Sequence, residues 1–362
     1  MLKVGIVGCG KIADSHAAQI MRIQNCKLVG VCDREPLMAH QLAERFTAKE
    51  EYTDINDLIQ TGRPDVVHIT TPPESHFSLA KTCLESGCHV YLEKPFTLNE
   101  QEARQLIELA IERRLKITAG HDDQFSHVAR RARALIQSGY LGDTVVHMES
   151  IYCYPFEEGP YARALLGDKN HWVRTLPGKL LQNVISHGIA RIAEHLHGED
   201  PEVIAHGFAS RFLRSRGEKE IIDELRVIMK DERGTSGYFT FSSQMRPSLH
   251  SFRVFGSKNG LLLDQDQETL IKLRGKRYPS YAEKFIPPFN YARQYLGNWR
   301  RNATTFLRND FHMKSGMKYL IESFYQHIEG NAEAPIPYRE ILLTTRIMAK
   351  IFAQVYNSTT VE

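Results

Sequence analysis

Along the first third of the chain, short β-branched apolar runs alternate with longer stretches of helical period. The runs are 2–7, 28–32, 66–70, 89–92 and 116–119. Strand and helix alternating up to about residue 122 predict parallel strands joined by crossover helices, a doubly wound α/β sheet. Beyond Phe125 the rhythm changes. One helical stretch, 128–137, precedes strand-like segments at 144–152, 203–212, 222–230, 235–242 and 251–255. Consecutive strands without helices between them predict an α+β domain with an open, mostly antiparallel sheet. After the first of these strands comes a long irregular stretch, 153–177, and then a helix over 181–197 stopped by Gly198. Irregular stretches of that length in compact domains are commonly functional. Helices at 317–329 and 338–356 close the chain. The expected division is residues 1–122 and 123–362, with the last helices able to pack back on the first domain.

The first strand runs into Gly8-Cys9-Gly10-Lys11-Ile12-Ala13. At these offsets Gly8 permits a tight turn, Gly10 lets a pyrophosphate approach the backbone, and Ala13 allows close helix packing, which is the dinucleotide fingerprint of a Rossmann-type sheet. Lys11 and Ile12 open the helix whose N-terminus would hold the pyrophosphate. The second strand ends in Asp33, where a carboxylate can accept both ribose hydroxyls of adenosine. That acid favours NAD over NADP. Arg34 beside it is the residue type that binds a 2′-phosphate, although Asp33 would repel one at close range.

Two later strands end in Thr70-Thr71-Pro72-Pro73-Glu74-Ser75-His76 and in Glu93-Lys94-Pro95. Both arrive at the carboxyl edge, where doubly wound sheets bind ligands. Together with the glycine turn and Asp33, these motifs closely resemble those of the glucose-fructose oxidoreductase, inositol dehydrogenase and MocA family, over nearly the whole chain. The resemblance implies a nicotinamide-dependent oxidoreductase acting on CH-OH groups. It places Gly8, Gly10, Lys11, Ile12, Ala13, Asp33, Arg34, Thr70, Thr71, Pro72, His76, Glu93 and Lys94 at the cofactor. It also sets Lys94 beside both the nicotinamide and the reacting carbon. An ammonium there can hydrogen-bond a developing alkoxide or relay its proton.

The family's second landmark is a helix with Asp and His four residues apart. Here the corresponding residues are Asn183 and His187. His187 is therefore the expected acid–base group and Asn183 a direct partner of a substrate hydroxyl. With an amide at 183, the imidazole is expected to lack the carboxylate that favours its charged form. Where many members read glycine, asparagine and an Arg-Phe pair, this chain reads Gly120-His121-Asp122-Asp123-Gln124-Phe125, and Gln124 becomes a candidate substrate contact. In the irregular stretch, Trp172 and Arg174 are the preferred substrate contacts, because sugar sites combine aromatic platforms with charged donors. No metal is assigned.

Composition narrows the picture. Forty-six basic against 43 acidic residues leave +3 overall, which gives no electrostatic footprint for nucleic acid. Six cysteines without a CxxC pair read as reduced thiols of a cytoplasmic protein. The apolar run 2–7 is too short for a leader's hydrophobic core and reads as mature structure. One stretch departs from this balance: residues 274–308 hold eight basic residues and eight aromatics against one acid, Glu283. After Pro287-Pro288, Asn290 is expected to cap a helix in which Tyr291, Tyr295, Trp299, Ala303 and Phe306 share a face. That face would serve core packing, a dimer contact, or a peripheral membrane contact through residues 285–308. The expected protein is a homodimer or homotetramer that oxidises a secondary alcohol of a sugar, cyclitol or nucleotide sugar. Transient oxidation by retained NAD to cleave a glycoside, or a non-catalytic cofactor-binding scaffold, stand as alternatives.

Overall fold

A computed structural model describes residues 1–156, 159–311 and 314–357. The chain forms two compact units, one made of Met1–Asp122 with Gly316–Arg346 and the other of Asp123–Ser315 with the chain from Ile347 onward.

The first unit is built on a six-stranded sheet. Its strands are β1 (Leu2–Val7), β2 (Cys26–Cys32), β3 (Glu51–Tyr52), β4 (Val66–Ile69), β5 (His89–Leu92) and β6 (Ile117–Ala119), in the order β3-β2-β1-β4-β5-β6. All pairs are parallel. Val4, Ile6, Val31, Val66, Val67, Ile69, Val90 and Leu92 are fully buried, as near-continuous apolar strands covered on both faces require. β3, only two residues long, is too short to carry a periodic signal. The helix Lys11–Ile20 follows the glycine turn and buries Ala13, His16, Ala17 and Ile20 along one face.

The second unit holds a seven-stranded sheet of β7 (Val145–Cys153), β8 (Glu202–Phe208), β9 (Glu224–Lys230), β10 (Ser236–Ser242), β11 (His250–Gly256), β12 (Asn259–Asp264) and β13 (Thr269–Arg274), ordered β13-β12-β11-β7-β10-β9-β8. Only the central β7–β10 pair is parallel. β12 and β13 are not among the expected strands, and the strand expected over 203–212 ends at Phe208. Residues Arg211–Ser215 are a helical turn, because Ser210 Oγ accepts from Leu213 N at 3.3 Å and caps it. The irregular stretch contains a helix, Pro160–Gly167, with proline at its first position, and a 3₁₀ turn, Trp172–Thr175. Glu157 and Glu158 in that stretch lie outside the described residues. The helix expected over 181–197 is two, Lys179–Val184 and Ser186–Ala193, divided at Ile185. The basic aromatic helix begins at Ala282, well before Asn290, and continues through Pro287 and Pro288 to Leu307.

Behind the helix Ser186–Ala193, Glu194, its side chain 14% exposed, accepts from Arg133 Nε at 2.5 Å and Nη2 at 2.9 Å, and from Gln124 Nε2 at 3.1 Å. Burial pushes this carboxyl up, but His195 and Arg133 outweigh it and hold the group down at about 2, against 4.5 unperturbed. A depressed folded value stabilises the protein above the unfolded value and loses that contribution as pH falls from about 4.5 through about 2. Glu194→Gln should cost on the order of 3 kcal/mol in denaturant unfolding at pH 7, a gap that narrows below about pH 4.5 and closes below about pH 2. An equal loss at both pH values would refute the ion-pair origin.

Candidate active site

In the first unit, parallel pairing brings the carboxyl ends of β1, β2, β4 and β5 to one edge, and one close contact and three sets of hydrogen bonds tie their turns together. Gly8 has φ +92°, and a Cβ there would stand 2.6 Å from Thr71 Cγ2 and 2.8 Å from Thr71 N, so only glycine permits this contact between turns. Thr70 Oγ1 donates to Gly8 O at 2.5 Å and Val7 O at 3.1 Å. Buried His76 spans the other two turns, with Nε2 2.9 Å from Thr71 O and Nδ1 2.9 Å from Pro95 O, across the cis Lys94–Pro95 peptide. Asp33 accepts from Cys9 N at 2.7 Å and from Glu35 N at 3.0 Å, so its carboxylate lies against the glycine turn. Arg34 beside it is exposed. Thr70 and His76, expected at the cofactor, also brace these turns.

The same edge fits a dinucleotide. Nothing lies within 4 Å of where a Gly10 Cβ would be, and the helix that starts at Lys11 has no side-chain cap at its N-terminus. First-turn N–H groups of Lys11 and Ile12 without a side-chain partner are the donors an anionic pyrophosphate takes. Exposed Lys11 and half-buried Ile12 stand beside this opening, with Ala13 buried behind it.

A polar chain that no sequence motif announced lies behind Lys94. Glu93 is buried, with Oε1 2.9 Å from His16 Nε2 and Oε2 accepting from Lys94 N at 3.2 Å. His16 Nδ1 is 2.9 Å from His68 Nδ1, and His68 Nε2 is 2.8 Å from Tyr325 Oη. With Glu93 ionised, its carboxylate only accepts, and the tautomers follow. His16 donates through Nε2 and receives His68 Nδ1–H, while His68 Nε2 receives the Tyr325 hydroxyl. Burial pushes His68 well below the usual imidazole range, as a neutral link in such a chain requires. Tyr91 stacks on His68 at 4.7 Å.

In the second unit, His187 opens the helix Ser186–Ala193 and is 8% exposed. Tyr152 lies nearly parallel to its ring at 6.3 Å, and Asp123 Oδ2 is 3.9 Å from Nδ1. The expectation that Asn183 leaves His187 without a carboxylate is therefore corrected: Asp123 supplies one from another segment, where sequence spacing gives no signal. The break at Ile185 also separates Asn183 from His187, and Asn183 Nδ2 donates to Tyr161 Oη at 2.9 Å. Burial pushes the Tyr161 hydroxyl up to about 12, so it stays protonated.

Two expected substrate contacts are engaged by the protein. Arg174, its side chain 7% exposed, donates to Glu218 at 2.6 Å and to Leu165 O at 3.0 Å. Buried Gln124 donates to Glu194 and to Ala190 O. Trp172 is half-buried and stacks on His171 at 5.8 Å.

Comparison with known proteins agrees with this geometry. Residues 2–121 match the model of the oxidoreductase family with an NAD-binding Rossmann fold, and residues 129–262 match the GFO/IDH/MocA C-terminal domain. The chain is 31% identical over 148 residues to D-glucoside 3-dehydrogenase of Escherichia coli, a match covering 40% of this chain and 42% of the relative, less than half of either. It is 22% identical over 322 residues to myo-inositol 2-dehydrogenase of Thermotoga maritima, covering 87% and 89%. Among solved structures, the WlbA dehydrogenase of Bordetella pertussis in complex with NADH and UDP-GlcNAcA superposes with a TM-score of 0.76 at 15% identity, covering 99% of this chain and 96% of the other. With both of its domain models matched in sequence order over more than half its length, this chain is a member of the Gfo/Idh/MocA oxidoreductase family.

Proposed function

We propose that the protein is an NAD-dependent dehydrogenase that moves hydride between nicotinamide and a secondary alcohol of a sugar, cyclitol or nucleotide sugar. The observation that carries this reading is Lys94 itself, which follows a carboxylate pinned by His16 and stands at the edge shaped for a dinucleotide. Bound NAD supplies the hydride acceptor. Everything else is the work of this chain. Lys94 donates a hydrogen bond to the alcohol oxygen as negative charge builds on it. His187 takes the hydroxyl proton, and the Asp123 carboxylate near Nδ1 favours the imidazolium that results. Asn183 and Trp172 are the proposed contacts for the remaining hydroxyls and the sugar face. Asp33, lying against the glycine turn, is the proposed acceptor for the adenosine ribose, which favours NAD over NADP. The names of three relatives, D-glucoside 3-dehydrogenase, myo-inositol 2-dehydrogenase and UDP-N-acetylglucosamine 3-dehydrogenase, support the substrate class.

The proposal includes a homo-oligomer in the cytoplasm. Ile204, Ile228 and Tyr238 are direct cross-strand neighbours and stand exposed on one face of the second sheet, an apolar row suited to a second copy. All six cysteines are free thiols, in keeping with a reducing compartment.

The test is to identify any nicotinamide released from purified protein and then follow reduced-nicotinamide absorbance over a panel of glucosides, inositols and UDP-sugars. Lys94→Ala should lower kcat about 10²- to 10⁴-fold with binding of NAD retained. Turnover independent of Lys94 would overturn its role. His187→Ala should lose a comparable factor, with part of the rate restored by imidazole in solution. Asp123→Ala should keep both His187 and the fold yet lower kcat/KM about tenfold, since one oriented charge near an imidazole contributes roughly 1.4 kcal/mol. Unchanged kcat/KM in Asp123→Ala would remove Asp123 from the reaction.

A further inference from the structure

The helix Ala282–Leu307 meets its unit through amides and leaves all its aromatic residues but the half-buried Tyr291 exposed. Its one buried residue is Asn298. Its Oδ1 accepts from Leu270 N at 3.3 Å and from Arg131 Nη2 at 2.9 Å, and its Nδ2 donates to Leu270 O at 3.0 Å. One turn earlier, Gln294 makes the same pair of bonds to Lys272 N and O, at 2.8 and 3.2 Å. One turn later, Asn302 Nδ2 donates to Gln267 O at 2.8 Å. Spaced by four, these amides form the docking face and satisfy the outer backbone groups of the edge strand β13. The usual order is thereby inverted. Phe285, Phe289, Tyr295, Leu296, Trp299, Phe306 and Leu307 are all exposed, Trp299 by 65% and Phe306 by 67%. Of the three expected fates of this stripe, packing into the chain's own core is corrected, which leaves a dimer or a membrane contact.

Charge says what covers it. Residues 272–308 contain nine lysines and arginines and one acid, in a chain whose net charge is only +3. The acid, Glu283, accepts from Tyr278 N at 2.5 Å. Lys272, Arg274, Lys276 and Arg293, with Tyr278, Tyr291 and the single carboxylate of Glu283, line an open pocket of about 440 Å³ beside the first half of the helix. Arg300, Arg301 and Arg308 are exposed farther along. A second copy docked on this face would set nine cations against nine. Among the described residues no helix is long and apolar enough to cross a membrane, so a helix of this composition has the character of one that lies in an interface.

We propose that this face docks on an anionic phospholipid bilayer, with a lipid phosphate held by the four cations of the pocket and the aromatic row lying at the boundary between headgroups and acyl chains. Tyrosine and tryptophan favour that depth, where one end of the ring is wet and the other is apolar. Leu296 and Leu307 leave water there, which a free anion in the pocket would not accomplish.

The full chain should sediment with phosphatidylcholine vesicles containing phosphatidylglycerol at low salt, but not with phosphatidylcholine alone. It should be released near about 1 M salt, where screening reaches about 3 Å. Arg293→Gln and Arg300→Gln should each lower the partition coefficient about fivefold. Trp299→Ser with Phe306→Ser should abolish binding while leaving the melting temperature unchanged, because both side chains are exposed. Tryptophan emission should shift to the blue on vesicle addition in the native chain and not in that double variant. Failure to bind the anionic vesicles, or binding insensitive to both sets of substitutions, would overturn the proposal. So would a dimer broken by Trp299→Ser in a protein that ignores vesicles, which would assign the face to a second copy.

Discussion

Parallel register is the constraint on which the candidate site rests. Because β1, β2, β4 and β5 run the same way, their carboxyl ends open at one edge, and every turn there must be satisfied locally. Asp33 holds the glycine turn through Cys9 N, Thr70 ties that turn to β4, and His76 ties the β4 turn to the Lys94–Pro95 turn. Each bond is modest alone, on the order of 1 kcal/mol net, but together they leave the edge little freedom to rearrange. Preorganisation of this kind is what lets a lysine or a helix N-terminus act without first paying to be positioned.

Behind that edge, the chain from Tyr325 through His68 and His16 to Glu93 does for Lys94 what the surface bonds do for the glycine turn. A buried carboxylate is costly unless its oxygens are satisfied, and here an imidazole N–H takes one and the Lys94 amide takes the other. The partner Tyr325 arrives from the segment Gly316–Arg346, which returns to the first unit after nearly two hundred residues. In the second unit Asp123 stands in a similar relation to His187, a carboxylate near an imidazole from a distant part of the chain.

Much of the first unit was legible because its chemistry is local. Gly8, Gly10, Asp33 and Lys94 sit at strand ends, and strands buried on both faces advertise themselves as apolar runs. The strands β12 and β13 give only a weak signal, because each is six residues long and they border a stretch dominated by charged and aromatic residues. Pro287 and Pro288 read in sequence as a stop before a helix capped by Asn290, whereas the N-terminal turns from Ala282 tolerate the lost bonds. Arg174 and Gln124 were the right residue types for a sugar site, yet both are engaged by carboxylates more than forty residues away. Such partnerships depend on tertiary proximity, which no spacing along the chain encodes. The same reason hid Asp123 beside His187 and His16 beside Glu93.

The assignment of the first unit's carboxyl edge as a nicotinamide dinucleotide site is tested most directly by calorimetric titration of the intact protein with NAD and with NADP. Saturable binding of one NAD per chain, with NADP weaker and a loss of about 10- to 100-fold in NAD affinity for Asp33→Ala, is the expected result. Absence of binding by either dinucleotide, or tighter binding of NADP unaffected by Asp33→Ala, would contradict it.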